Sequence, residues 1–130
     1  MKRLVLPCIL ACVSIAVFSV GRAEQDYTNP EQLAQLIAQK REKYILVDVR
    51  TPAEYESGHI PTAVNIPNTE IAARPPSTVK AALIIVYCRS GNRSATAKKE
   101  LETLGYTRVV DFGALPGWKG ALVLGDKPGE

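Results

Sequence analysis

A cysteine followed by a short polar loop is the part of this sequence best suited to chemistry. Cys88 comes directly after a run of apolar, mostly β-branched residues and before a helical pattern. Glycine and asparagine in the loop tolerate a positive φ, so backbone N–H groups can turn towards the sulfur. Such N–H groups, a helix N-terminus and nearby arginines all favour a thiolate. We therefore interpret Cys88 as the nucleophile and the following residues as its anion-binding loop: Arg89, Ser90, Gly91, Asn92, Arg93 and Ser94.

The loop residues fall into two groups by what they can offer a substrate. Arg89 and Arg93 bring positive charge and are the candidates for binding an anion, and the sequence does not rank them. The other four are expected to act mainly through backbone N–H groups. Ser94 is also predicted to cap the helix that follows.

Two further charged residues follow another apolar run, on the side of the sheet where the cysteine is expected. These are Asp48 and Arg50, which we interpret as supporting residues, with a structural ion pair favoured over substrate contact. Glu54 is explained by a capping box at the start of a short helix. The sole histidine, His59, lies in a Gly-His-Ile-Pro turn, so we expect a structural role and not a Cys–His dyad. The sequence contains no metal-ligand cluster, and no metal site is predicted.

The elements that must position these residues alternate between strand and helix patterns. The strongest strand signal, at residues 83–87, is apolar throughout, which is typical of a strand buried on both faces. Further strands are predicted at 44–49, 63–66 and 108–112, and helices start near Pro30, Pro52 and Arg93. The alternation predicts a doubly wound α/β single domain with a mostly parallel central sheet and helices on both faces. Residues 125–130 are expected to be frayed.

The first 23 residues have the three-part pattern of a secretory signal peptide. Two basic residues at positions 2 and 3 precede an uncharged, apolar stretch at 4–20, and small residues precede the expected cleavage position. An uncleaved anchor and a lipoprotein attached through Cys12 remain alternatives, and all three export the domain, residues 24–130. We expect cleavage, no stable membrane insertion afterwards, and a periplasmic or otherwise exported location.

Composition excludes several classes of protein. The chain has 130 residues, of which 46% are hydrophobic and 22% charged, as expected for one ordinary globular domain. Three of its 16 basic residues lie in the leader, which leaves 13 basic against 13 acidic residues in the domain. This balance gives no support to a nucleic-acid-binding surface. Outside the leader Cys88 is the one cysteine, so the domain cannot form an internal disulfide.

Three segments, taken in order, resemble the rhodanese homology domain family. They are DVRTPAEY at 48–55, GHIPTAVNIP at 58–67 and YCRSGNRS at 87–94, and the resemblance covers about residues 28–120. The small exported size is most similar to single-domain periplasmic rhodaneses of the phage-shock type. Two positions depart from the family pattern, since Thr62 stands where a glycine is usual and Ala114 replaces the second residue of a usual glycine pair.

The resemblance implies a thiosulfate sulfurtransferase that works by double displacement. Cys88 would take the outer sulfur of a thiosulfate-like anion as a persulfide and pass it to cyanide or a thiol. No organic cofactor is implied, because the cysteine itself carries the transferred group.

Two other functions remain open as alternatives. One is a non-catalytic persulfide carrier or binding module that loads sulfur without turning over. The other is a cysteine-based phosphatase or arsenate reductase, which uses a Cys-x5-Arg loop. That arginine would fall at position 94, which is Ser94, and Arg93 stands one position too early. The shorter loop favours a sulfane sulfur over a phosphate.

Overall fold

Parallel strands form the centre of the structure, a computed structural model that describes residues 24–130. The predicted leader, residues 1–23, lies outside the described residues. The elements in chain order are α1 (Pro30–Gln39), β1 (Ile45–Asp48), α2 (Pro52–Glu56), β2 (Val64–Asn65), β3 (Leu83–Cys88), α3 (Asn92–Thr103), β4 (Arg108–Ala114) and a 3₁₀ turn at Leu115–Gly117. Within this described part of the chain, no helix is long and apolar enough to cross a membrane.

The first two helices begin where local side chains satisfy their free N–H groups. The Asn29 side chain accepts a hydrogen bond from the backbone N–H of Gln32 at 3.1 Å, and proline occupies the first helical position of α1. Thr51 and Glu54 form the reciprocal capping box at the start of α2. Both predicted helix starts are therefore confirmed.

The sheet has two buried faces, each covered by helix. Every residue of β3 is buried, and its side chains alternate between two apolar clusters. The first cluster contains Leu83, Ile85 and Tyr87 with residues of α1 and α2, and the second contains Ile84, Val86 and Cys88 with residues of α3. The prediction of an α/β domain with helices on both faces is confirmed.

Strand order places a crevice at the end of the sheet that carries Cys88. The order is β2-β1-β3-β4 with every neighbouring pair parallel, so the chain leaves β1 in one direction for β2 and returns on its other side for β3. In open α/β sheets, ligands bind at the carboxyl ends of strands flanking such a reversal. Asp48 ends β1 and is paired in register with Tyr87, the residue before Cys88. The fold thus brings the segment that contains Asp48 and Arg50 close to the loop that follows Cys88.

The prediction that the C-terminal segment is frayed is wrong. The backbone N–H of Thr62 donates to the carbonyl oxygen of Pro128 at 2.9 Å, and the Nε2 atom of His59 lies 2.8 Å from the carbonyl oxygen of Lys127. The glycine- and proline-rich composition of this segment suggested disorder. Its backbone groups instead pair with a turn almost 70 residues earlier in the chain, and local composition cannot reveal such pairing.

Candidate active site

The loop after β3 turns its backbone donors onto the sulfur of Cys88. The N–H of Gly91 donates to Sγ at 3.0 Å and the N–H of Ser94 at 3.4 Å, and the hydroxyl oxygen of Ser94 also lies 3.4 Å from Sγ. Gly91 adopts a φ of +95°, a value that favours glycine and that points its N–H inward. Cys88 itself has no exposed surface, so these loop groups replace water around the sulfur.

This environment lowers the pKa of the Cys88 thiol below its ordinary value. Burial acts in the opposite direction, because it penalises the charged thiolate. The hydrogen bond between the sulfur and the Ser94 side chain, together with those from the backbone N–H groups of Ser94, Gly91 and Ser90, outweighs that penalty. The side chain of Ser90 is exposed, as is that of Asn92 at the start of α3. The shift has the predicted direction, and its sources are the Ser94 side chain first and then the loop backbone.

The prediction that Ser94 caps α3 is wrong. The helix starts at Asn92, and its N-cap position is Gly91, which has no side chain to offer. Ser94 lies inside the first turn and is fully buried, with its hydroxyl donating to the carbonyl oxygen of Gly91 at 3.1 Å. The side chain that would serve as a cap instead faces the sulfur of Cys88. The helix begins before Ser94 because Gly91 closes the loop. The glycine at this position is the feature of the sequence that could have predicted this start.

The two arginines of the loop differ in their partners. Arg93 donates to Glu54 through both terminal nitrogens, Nη1 to Oε1 at 2.7 Å and Nη2 to Oε2 at 3.0 Å. This pair lowers the pKa of Glu54 to about 2 and raises the pKa of Arg93. Glu54 is therefore not explained by its capping box alone, as the sequence had suggested. Arg89 is exposed and makes no hydrogen bond or ion pair with any residue in the range 24–130.

The predicted supporting residues, Asp48 and Arg50, form a buried ion pair. Arg50 donates through Nε and Nη2 to Asp48, with the Nη2–Oδ2 distance at 2.7 Å, and Nη2 also donates to the carbonyl oxygen of Gly58. The hydroxyl of Tyr87 donates to the same carboxylate at 2.9 Å while it accepts from the N–H of Ile60 at 3.0 Å. Burial raises the pKa of Tyr87 and the Asp48 charge raises it further. From the sequence Tyr87 is recognisable only as the residue before the nucleophile, and its contact with Asp48 could not be predicted.

His59 forms no hydrogen bond with Cys88. The ring is fully buried and stacks on Tyr55 with centroids 3.7 Å apart. Its Nδ1 lies 2.9 Å from the carbonyl oxygen of Tyr55, and its Nε2 faces that of Lys127. Both ring nitrogens are engaged with backbone, which agrees with the structural role expected for this turn.

A cleft of about 490 Å³ opens beside the loop. Its charged lining residues are Arg89, which directly follows Cys88, and the paired residues Arg50 and Glu54. The segment that follows β4 supplies an apolar wall made of Leu115, Pro116, Trp118 and Leu122. We call this the Trp118 cleft.

Comparison with known proteins gives the family. The rhodanese-like domain family matches residues 29–121 of this chain. A protein of Allochromatium vinosum named sulfurtransferase is 40% identical over 91 residues, which cover 69% of this chain and 84% of that protein. Thiosulfate sulfurtransferase PspE of Escherichia coli is 39% identical over 71 residues, covering 53% of this chain and 68% of that protein. A solved structure of a rhodanese with anions from E. coli superposes with a TM-score of 0.56 at 34% identity, over 64% of this chain and all of that one. The chain belongs to the rhodanese-like domain family and is an enzyme of the sulfurtransferase class.

Proposed function

We propose that the protein moves sulfane sulfur from a thiosulfate-like anion to cyanide or a thiol through a persulfide on Cys88. The observation that carries this proposal is the pair of backbone N–H groups that donate to Sγ, with the hydroxyl oxygen of Ser94 3.4 Å away, a set of contacts that lowers the pKa of the thiol without help from a histidine. A thiolate is the nucleophile that attack on a sulfur–sulfur bond requires.

In the first half-reaction, the Cys88 thiolate attacks the outer sulfur of thiosulfate. A bond forms between Sγ and that sulfur while the bond to the inner sulfur breaks, and sulfite leaves with the electron pair. The product is a persulfide anion on Cys88. The N–H groups of Gly91 and Ser94, which stabilise the thiolate, also face the region where this anion forms. Because Cys88 is fully buried, the loop must open enough to admit the outer sulfur.

In the second half-reaction, an acceptor attacks the outer sulfur of the persulfide. With cyanide, a carbon–sulfur bond forms, the sulfur–sulfur bond breaks, and thiocyanate leaves while Cys88 returns as a thiolate. Charge and atoms balance in both steps, so no external oxidant or reductant is required. This supports a reaction with no organic cofactor.

Arg89 is the arginine best placed to bind the anionic donor. Its charge has no partner among the described residues, whereas the charge of Arg93 is neutralised by Glu54. An arginine already held by a carboxylate gives a second anion much less attraction than a free one. Arg93 instead fixes the first turn of α3 to α2, which holds the loop in shape.

The test is an intact-mass measurement after incubation with thiosulfate, followed by addition of cyanide and counting of thiocyanate. The wild-type protein should gain one sulfur atom and release it over many turnovers, while Cys88→Ser gains none. Arg89→Ala should raise the KM for thiosulfate about tenfold with a small effect on kcat, since a charge-assisted contact is removed.

Two other results would point to the alternative functions. Sulfur gain without turnover indicates a persulfide carrier. No gain on fully reduced protein overturns the proposal and directs attention to phosphate and arsenate chemistry. The buried Ser94 occupies the loop position where those enzymes need an arginine, which supports sulfur transfer over that alternative.

The cellular location belongs to the proposal as well. The leader pattern at residues 1–23 and the similarity to PspE support a periplasmic protein of the phage-shock type. Cell fractionation with a C-terminal tag tests this. Recovery of a shortened chain in the periplasm is the expected result, and a full-length chain in the cytoplasm would contradict it.

A further inference from the structure

A second cavity lies at the opposite end of the sheet from Cys88 and the Trp118 cleft. Its lining includes the first residues of two neighbouring strands, Ile45 of β1 and Leu83 of β3, together with Val79 from the segment that leads into β3. Cys88 is the last residue of β3, so the full length of that strand separates this cavity from the sulfur. We call it the Val79 cavity. The proposed sulfur transfer makes no use of it.

The Val79 cavity has the size and the apolar lining of a small-molecule site. Its volume of about 830 Å³ lies within the range of such sites. The apolar lining residues are Tyr44, Ile45, Val79, Ala82 and Leu83. The side chain of Val79 is 60% exposed, and an apolar ligand that covered it would remove this surface from water. A concave cavity of this volume is matched better by a compact ligand than by a flat lipid surface.

The backbone around Val79 is ordered before any ligand arrives. The N–H of Val79 donates to the hydroxyl oxygen of Ser77 at 3.0 Å, and the N–H of Ala82 donates to the carbonyl oxygen of Val79 at 3.1 Å. The N–H of Thr107, directly before β4, donates to the carbonyl oxygen of Lys80 at 3.0 Å. A cavity with such a preformed wall binds an apolar group at little cost in conformational entropy.

Two unpaired ammonium groups border this apolar lining. Lys40 and Lys43 make no side-chain hydrogen bond or ion pair with any residue of the described range. The other charged lining residue, Glu42, is neutralised by Arg108, whose Nη2 lies 2.9 Å from Oε1. Within residues 24–130 the lining therefore has two unpaired positive charges and no unpaired negative charge. A ligand with one anionic group is complementary to it.

The backbone conformation of Lys40 indicates that its side chain has a use. Lys40 directly follows α1 and adopts a φ of +47° and a ψ of +46°. Glycine is the residue favoured in this left-handed conformation after a helix, because a Cβ makes the conformation costly. A lysine that has no partner at this position therefore gives up stability that glycine would supply. Binding of an anion by its ammonium group accounts for the lysine.

We propose that the Val79 cavity binds a small amphiphilic anion, an aliphatic carboxylate whose chain covers Val79 and whose carboxylate is held by Lys40 and Lys43. The aliphatic lining favours a hydrocarbon chain, and the two lysines select the negative head group. Binding involves no covalent step and no contact with Cys88. It is therefore independent of the sulfurtransferase reaction proposed above.

The test is calorimetric titration with decanoate, kept below the concentration at which it forms micelles. Decanoate should bind at one site per chain, at least tenfold more tightly than decyltrimethylammonium, which has the same chain length and the opposite charge. Acetate has the carboxylate without the chain, and it should show no saturable binding in the same concentration range.

Matched variants separate the cavity from the rest of the surface. Val79→Asp places a negative charge in the lining and should weaken decanoate binding at least tenfold. Leu124→Asp should leave it unchanged, since Leu124 is 75% exposed and lies outside the lining. Lys43→Gln should weaken binding several-fold, whereas Lys99→Gln, at an exposed lysine outside the lining, should not.

Lys40→Gly gives a result that a merely structural lysine would not. It should weaken decanoate binding several-fold and, at the same time, raise the urea concentration at the midpoint of unfolding, because glycine adopts the left-handed conformation without strain. Decanoate affinity unchanged in this variant would overturn the assignment of Lys40.

Three other results would overturn the proposal as a whole. The first is no decanoate binding, or equal binding by Val79→Asp and Leu124→Asp. The second is binding to vesicles of phosphatidylglycerol and phosphatidylcholine without binding of free decanoate, which would assign the cavity to a membrane surface. The third is self-association that Val79→Asp removes, which would assign it to a second copy of this chain. Sulfur loading of Cys88, followed by mass, should be the same in all of these variants, so its failure is a separate result that concerns the proposed function alone.

Discussion

Glu54 and Arg93 form a two-point ion pair that joins the first turn of α2 to the first turn of α3. The two residues lie 39 positions apart in the chain. Each follows a strand of the pair that flanks the crevice, so the ion pair fixes the distance between the segment after β1 and the loop that holds Cys88. Among residues 24–130, Arg89 is then the arginine of the loop that has no partner.

This ion pair predicts a loss of stability in acid. The pair lowers the pKa of Glu54 from 4.5 to about 2 in the folded state. The contribution of the ion pair to the free energy of unfolding is therefore fully present above pH 4.5. It is lost as the pH falls from 4.5 towards about 2. Because Glu54 is 29% exposed, solvent reduces the contribution to about 1 kcal/mol. Urea unfolding across this pH range should show that decrease for the wild type and a smaller one for Glu54→Gln.

A matched control comes from the exposed pair of Lys98 and Glu102 on α3, whose carboxylate is 49% exposed. Glu102→Gln should leave the acid dependence of unfolding as in the wild type. If Glu54→Gln and Glu102→Gln gave the same pH profile, the Glu54 pair would not be the source of the effect.

A second prediction concerns the hydroxyl of Ser94, which lies 3.4 Å from the sulfur of Cys88. Ser94→Ala removes one of the groups that lower the pKa of the thiol, so that pKa should rise. The rate of sulfur loading at neutral pH should fall about tenfold, as expected for loss of a hydrogen bond to a charged group. The thiolate absorbance followed against pH measures the shift, and the loading rate measures its consequence.

Ser90→Ala is the control for this substitution, because Ser90 contributes through its backbone N–H and its side chain is exposed. Its titration should coincide with that of the wild type. If the pKa of the thiol in Ser94→Ala were at or below the wild-type value, the backbone N–H groups alone would be responsible for the lowered pKa.

Much of the fold follows from local sequence, because its determinants act over short distances. The apolar run of β3 and the capping residues at Asn29 and Thr51 lie next to the elements that they specify. The cysteine loop is similarly local: Gly91 supplies a positive φ and brings the donors onto the sulfur.

The parts that sequence reasoning missed depend on contacts between distant segments. Glu54 meets Arg93, and Tyr87 meets Asp48 across 39 residues. The C-terminal segment pairs with the turn at His59, which is 68 positions from Lys127. Charge, spacing and composition near each residue are the same whether or not such a partner exists. These contacts depend on the register of β1 with β3 and on the course of the C-terminal segment through the fold.

Thr62 provides a third prediction. The resemblance to the family gives glycine at this position, and Thr62 adopts a φ of +74°, a conformation unfavourable for a β-branched residue. Its hydroxyl contacts Tyr44 at 2.9 Å. Thr62→Ala removes this contact and keeps the Cβ, whereas Thr62→Gly removes both. The Thr62→Gly variant should therefore have a free energy of unfolding about 1 kcal/mol larger than that of the Thr62→Ala variant. Equal stability of the two variants in urea would show that the turn carries no strain.

The buried pair of Asp48 and Arg50 gives a fourth prediction, in which the order of stability among variants is decisive. Arg50→Met leaves the Asp48 carboxylate buried with the Tyr87 hydroxyl as its remaining side-chain partner, and should cost about 3–5 kcal/mol. The double variant Asp48→Leu/Arg50→Met removes both charges and should recover most of that loss, since no unpaired charge is left in the interior. Urea unfolding of the two variants and the wild type measures both the loss of stability in Arg50→Met and its recovery in the double variant. If the double variant were as unstable as Arg50→Met, the pair would act through the carbonyl of Gly58 and the shape of the crevice, not through charge compensation.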